Sequence, residues 1–255
     1  MEDKQRSRVE ADEITFFASY YETQKYNPTG WRLRLERELK SLLRAAHGKR
    51  LKRVLSLGCG DGQFELMLAP HVDNVTGLDI SPEAIALARQ MADKAGVRNV
   101  DFRCQALSEL DWSETYDCVV CLGFLHHVPE AELPALFRQS RDHLADGGFF
   151  YAQDPNVHGV MRSIGRLVMK KEEYDRFHSP DERELDPGEI RDHLTKTGFS
   201  TVHIGYIDLT LIPALFVLAK GPTWPLYVCT VVDWIWCRIP VLRRWASGFT
   251  SIARK

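Results

Sequence analysis

Leu55-Ser-Leu-Gly-Cys-Gly-Asp-Gly-Gln63 places three glycines within five positions, directly after an apolar run. Glycines at that spacing mark a backbone that turns tightly beside a ligand. Arg53–Leu57 reads as a buried strand, and Gln63–Ala69 begins a helix. In a parallel α/β sheet, ligands bind beyond the carboxyl ends of the strands, which is where this loop falls. A dinucleotide loop needs Gly-x-Gly-x-x-Gly, but here Gly58-x-Gly60-x-Gly62 is followed by Gln63. A phosphate loop needs Lys-Ser or Lys-Thr after its last glycine, and this sequence has neither there. The next apolar run, Val75-Thr-Gly-Leu-Asp-Ile80, closes on Asp79. A carboxylate there accepts from both hydroxyls of a ribose through charge-assisted bonds, so the pair of elements indicates an adenosine-type ligand.

Outward from the loop, short apolar runs alternate with helical patterns. Ser81-Pro82-Glu83 opens a helix that runs to about Lys94, with serine as cap, proline in the first turn and an acid near the dipole. Val100–Cys104 and Asp117–Leu122 read as strands, Glu130–Leu144 as a helix and Gly148–Gln153 as a fifth strand. This rhythm predicts a mostly parallel sheet covered on both faces. Asp12–Glu22 and Trp31–Ala46 read as helices ahead of it. Pro187–Thr197 is a further helix, and Phe199–Ile207 and Gly248–Ala253 are the last two strands.

The 255 residues are 44% hydrophobic and carry a formal net charge of -2, so no overall basic surface points to nucleic acid. The six cysteines mostly fall in apolar runs, and Cys118-Val-Val-Cys121 sits within a strand, where residues three apart point to opposite faces. Buried free thiols in a reducing cytosol are expected rather than a zinc site. The first thirteen residues are charged without an apolar run, so no secretory signal is expected.

Four stretches in order, VLSLGCGDG, VTGLDIS, YDCVVCLGFLHHVP and LADGGFFYAQDP, give the chain its family likeness. It resembles the class I S-adenosylmethionine-dependent methyltransferases, particularly the branch with small-molecule substrates. The resemblance spans roughly residues 50–155 and extends more weakly to KTGFSTVHIG and SIARK. It implies a Rossmann-like seven-stranded, mostly parallel sheet with the last strand antiparallel. N-terminal helices would form a cap over 1–48, and 49–255 the methyltransferase domain. It also implies S-adenosyl-L-methionine as cofactor, with Gly58, Cys59 and Gly60 lining its methionine and ribose by backbone. Asp79 would hold the ribose hydroxyls and Ile80 the adenine face, while Cys121 and Leu122 would face the sulfonium. Tyr21, beside Tyr20 on the N-terminal helix, would close over the cofactor.

Two departures matter. Ser56 stands where the family often has an aspartate that orders the loop and the cofactor's amino group. Ala106 stands where an acid often faces the adenine, which leaves the backbone of Ala106 and Leu107 for that task, with Gln105 one residue away. Both favour a rival reading, a catalytically inactive scaffold with this fold. An NAD-dependent oxidoreductase is disfavoured by Gln63.

Methyl transfer rests largely on positioning, and a hydroxyl acceptor also needs a general base, for which histidine is the first candidate. His126 and His127 follow the fourth strand and Asp154 the fifth, while His178 lies in the polar cap segment 156–186. Residues 208–246 form an apolar insertion that holds four of the six tryptophans. Neither half reaches the ~18–20 uncharged residues of a membrane span, and Asp233 interrupts the longer one. A lid, a homodimer interface, or a peripheral membrane contact through Trp, Arg238, Arg243 and Arg244 are the readings left open. Each implies an apolar or lipid-linked small-molecule acceptor. The expected reaction is methyl transfer to an oxygen, in preference to a carbon or nitrogen, in a cytoplasmic enzyme.

Overall fold

A computed structural model describes residues 27–161 and 182–255, together with Asp12, Ile14, Ser163 and Ile164. Apart from Asp12 and Ile14, the expected helix over 12–22, with Tyr21, lies outside the described residues, as does His178 with most of its segment.

Seven strands form one sheet: β1 (Leu51–Leu57), β2 (Val72–Asp79), β3 (Val100–Cys104), β4 (Tyr116–Leu122), β5 (Leu144–Pro155), β6 (Thr201–Ile207) and β7 (Gly248–Arg254). Their order is β3-β2-β1-β4-β5-β7-β6. β1 to β5 run parallel, and β7 inserts antiparallel to both β5 and β6. The sheet is therefore the Rossmann-like one expected. Val54–Leu57 and Cys118–Cys121 are buried throughout because helices cover both faces of the central strands.

Helices α1 (Pro28–Ala45) and α2 (Gln63–Leu68) cover one face, over Val54, Cys118, Val120, Phe149 and Tyr151. Helices α4 (Leu133–Asp142) and α5 (Pro187–Lys196) cover the other, over Leu57, Val119, Cys121, Phe150 and Phe249. Cys118 and Cys121 thus lie on opposite faces, and all six cysteines are free. Helix α3 (Pro82–Ala95) starts as its sequence says: Ser81 Oγ accepts from Ala84 N–H at 3.2 Å, and Gly96 ends it in the left-handed region.

Three element starts differ from expectation by three residues or more. α1 begins at Pro28 rather than Trp31, because the Asn27 side chain accepts from the N–H groups of Thr29 and Gly30. A short 3₁₀ turn over Glu130–Glu132 delays α4 to Leu133. β5 begins at Leu144 rather than Gly148, since an irregularity opposite Tyr116 and Cys118 absorbs the glycine pair that reads as a turn.

The insertion between β6 and β7 holds α6 (Leu211–Val217) and α7 (Trp224–Trp236). Leu211, Leu215 and Leu226 form a small core with Trp31 and Leu33 of α1. Gly30 makes this approach close: a Cβ there would lie 2.2 Å from Leu215 Cδ2. A buried charge cluster fastens the same elements. Arg34 Nε donates to Asp208 Oδ2 at 3.1 Å, and its Nη2 donates to Gln153. Arg37 bonds the other Asp208 oxygen and lies 3.6 Å from Asp233 Oδ2. Asp233 also accepts from Thr210 N–H at 2.7 Å and from Leu211 N–H at 3.2 Å.

So Asp233 points into the protein, and the outer face of α7 is uncharged. Trp224, Tyr227, Val228, Val231, Trp234 and Ile235 are all exposed there, Trp224 at 69%. Among the described residues no helix is long and apolar enough to cross a membrane.

Candidate active site

The loop after β1 turns through three glycines in the left-handed region, Gly58 at φ 69°, Gly60 at 55° and Gly62 at 76°. Such values suit glycine and strain other residues. A Cβ on Gly58 would lie 2.4 Å from the Phe124 ring, and one on Gly62 would lie 2.5 Å from Phe102. The loop is anchored to β2 on both sides of Cys59. Cys59 N–H donates to Leu78 O at 2.9 Å, and Gly60 N–H donates to Asp79 Oδ2 at 2.8 Å. The other Asp79 oxygen accepts from Ser81 N–H at 2.9 Å. Burial pushes the Asp79 pKa above its ordinary value, while these two N–H groups and the charge of His127 pull it back. Asp79 is thus oriented by the backbone on either side and half-exposed at the strand end, beside half-exposed Ile80.

Along the same edge, Gln105 N–H donates to Asp79 O at 2.9 Å, and Ala106 precedes a 3₁₀ turn, Leu107–Glu109. The Gln105 amide donates to Glu109 O at 2.7 Å, so it braces its own turn. Across the switch from β1 to β4, Leu122 is half-buried. The Cys121 side chain is fully buried in the core, so only its backbone reaches the strand end.

Beyond β4, Gly123 at φ 66° turns the chain into a 3₁₀ turn, Leu125–His127. His126 is 8% exposed, and its Nδ1 lies 2.9 Å from Asp154 Oδ1. His126 N–H donates to the same oxygen at 3.2 Å. Burial pushes the Asp154 carboxyl up to about 8, against the opposing pull of the N–H groups of His126 and Leu125 and the charge of His127. The His127 ring packs on His126 with centroids 4.0 Å apart. His127 is half-exposed and acts electrostatically on both Asp79 and Asp154, so it faces the rim between the glycine loop and β5.

The structure therefore brings Gly58, Cys59, Gly60, Asp79, His126, His127 and Asp154 to one end of the sheet. His158, by contrast, bonds Asp186, the cap of α5, at 2.8 Å. A cleft of about 330 Å³ along Val54, Asn74, Val100 and Tyr116 lies at the opposite ends of the strands. Topology favours the glycine-loop end over it.

Four residues of this end carried no signal in the sequence. Phe124 lies against Gly58. Glu182 Oε1 is 3.9 Å from His126 Nε2, and Arg183 N–H donates to His126 O at 3.1 Å, so a remote segment backs the histidine turn. Glu65 lies beneath the loop, where Ser56 Oγ–H donates to its Oε1 at 2.6 Å.

Comparison with known proteins agrees with this geometry. A family model described as a methyltransferase domain matches residues 54–148. The Idiomarina loihiensis protein named ubiquinone biosynthesis O-methyltransferase is 30% identical over 142 residues, which cover 51% of this chain and 57% of that one. The chain thus matches little more than half the length of that relative. The N-methyltransferase NodS from Bradyrhizobium japonicum, solved with S-adenosyl-L-homocysteine, superposes with a TM-score of 0.58 at 16% identity, covering 90% of this chain and 88% of that one. Magnesium protoporphyrin IX methyltransferase from Synechocystis superposes at 0.56 and 20% identity, covering 91% and 86%. Sheet order and glycine loop define a nucleoside-binding α/β protein. The family match over residues 54–148, together with this sheet order, makes the chain similar to the class I S-adenosylmethionine-dependent methyltransferases.

Proposed function

We propose that the chain transfers a methyl group from S-adenosyl-L-methionine to an oxygen of an apolar, lipid-like organic molecule at a membrane surface. The observation that carries the cofactor reading is Asp79. Each of its oxygens is already aligned by one backbone N–H, from Gly60 and Ser81, and keeps a lone pair for a ribose hydroxyl. Gly58, Cys59 and Gly60 line the methionine end by backbone, Ile80 packs on the adenine, and the backbone of Ala106 and Leu107 meets its edge. Leu122, with the Cys121 backbone, borders the methyl group. When bound, the cofactor supplies a methyl carbon activated by its sulfonium. His127 takes the proton of the acceptor hydroxyl, and His126, fixed by Asp154, packs against His127 and sets its ring. Relatives named for O-methylation support oxygen as the target.

The acceptor class rests on α7. The outer side chains of α7 itself are uncharged, and beyond its end Arg238, 3.9 Å over Trp234, and Arg244, 4.9 Å over Trp245, add the cations that suit the headgroup level of an anionic membrane. Tritiated-methyl transfer into a cell extract split into lipid and aqueous fractions tests the whole reading. Label is expected in the lipid fraction, and label confined to the aqueous one overturns the acceptor class. In flotation with anionic liposomes, the protein rises and a Val231→Glu/Trp234→Glu variant stays below. If both stay below and sedimentation shows a dimer that the variant loses, the face belongs to a second copy instead.

A further inference from the structure

Glu65 is 2% exposed and lies under the glycine loop. Ser56 Oγ–H fills its Oε1, whereas Oε2 is buried and has no hydrogen-bond partner among the described residues. Among the described residues, the charged neighbours that act most on Glu65 are acids, Asp61 in the loop and Asp79 on β2. Glu65 in turn raises the pKa of the Cys59 thiol, after burial the largest influence on it, so the two groups are electrostatic neighbours. An unfilled carboxylate oxygen among acids is costly unless a cationic donor arrives. The ligand proposed above carries one, the α-ammonium of its amino-acid part.

We propose that Glu65, oriented by Ser56, is the acceptor for that α-ammonium. The inference rests on the methyltransferase reading and assigns a residue to it. It also explains Ser56: the acid expected on β1 sits nine residues on, in α2, and its oxygen still reaches the end of β1. The serine is the partner that holds it there. Without a ligand, burial pushes Glu65 up to about 7. An arriving ammonium stabilises the carboxylate, so binding near neutrality releases a proton.

Two probes separate the amino-acid end from the nucleoside: S-adenosylhomocysteine, and 5′-deoxy-5′-methylthioadenosine, which lacks the amino-acid part. In calorimetric titration, Glu65→Gln is expected to weaken S-adenosylhomocysteine tenfold or more and to leave methylthioadenosine within twofold. A smaller loss, or an equal loss for both probes, overturns the assignment. The unmodified protein gives an independent measure. Titrated at pH 6.5 in buffers of different ionisation enthalpy, it is expected to release a proton to the buffer on binding S-adenosylhomocysteine but not methylthioadenosine. Equal release for both overturns the assignment without any variant. If the unmodified protein binds neither probe, the methyltransferase reading itself falls, and this assignment with it.

Discussion

The Asp154 carboxylate holds His126 at two points through one oxygen, 2.9 Å from Nδ1 and 3.2 Å from the backbone nitrogen. Ring and turn are therefore fixed together, and His127 is the more accessible of the pair. Removing His127 takes away the proposed base, whereas altering Asp154 only loosens its support. His127→Ala is expected to lower kcat about 100-fold, within the usual range for general base catalysis. Asp154→Asn should lower it by roughly tenfold. Steady-state methyl transfer beside S-adenosylhomocysteine titration checks this, with ligand affinity expected to stay within a few-fold in both variants.

Asp79 joins the loop to β2 and meets the ribose in the proposed site, so Asp79→Ala removes both functions. Hydrogen bonds to a charged group contribute about 1.5–3 kcal/mol each, so losing the ribose bonds alone should weaken S-adenosylhomocysteine by at least ~100-fold. Calorimetry on a variant with native circular dichroism measures it; near-normal affinity would show the ribose assignment to be misplaced.

Stability should fall as the solution becomes alkaline. Burial raises Glu65 to about 7 and Asp154 to about 8 in the folded protein, while both titrate near 4 when unfolded. The folded state thus binds the extra protons. Their stabilisation is complete below about pH 4 and is lost as pH rises through about 7 and 8. At ~1.4 kcal/mol per unit, a decline on the order of a few kcal/mol between pH 5 and pH 9 is expected from urea unfolding. Glu65→Gln should reduce the slope only up to about pH 7, whereas Asp154→Asn should reduce it over the whole decline to about pH 8.

Asp233→Ala leaves Arg37 with Asp208 as its one ion-pair partner among the described residues and takes the acceptor from Thr210 and Leu211. A loss of ~3 kcal/mol is expected, as for buried pairs broken on one side. Thermal unfolding provides the measure, and a change below ~1 kcal/mol would mean the cluster does not fasten the insertion.

Legibility in the sequence followed how local each signal was. The sheet was readable because β1 and β4 are continuous apolar runs closed by glycine turns, and α3 carries its own Ser81 cap. Asp79 was readable because it ends a strand at a fixed distance from the glycines. Glu65 was not, since an acid one turn into a short helix looks like a solvent-facing residue until packing buries it. Asp154 and His126 could be proposed singly, but their bond, and the backing by Glu182 and Arg183, joins segments far apart in the chain. Asp233 shows the same limit. A lone charge in an apolar helix does not say which way it faces, and Arg37 had given no hint of waiting for it.

The inward turn of Asp233 also governs how the molecule behaves in a tube. Helix α7 has no other charged residue, and a chain with a net charge of -2 offers little mutual repulsion. Colloidal stability therefore hangs on what covers that one face. Protein concentration and detergent are consequently experimental variables of the same rank as pH, and an apparent molecular weight acquires meaning only when both are stated beside it.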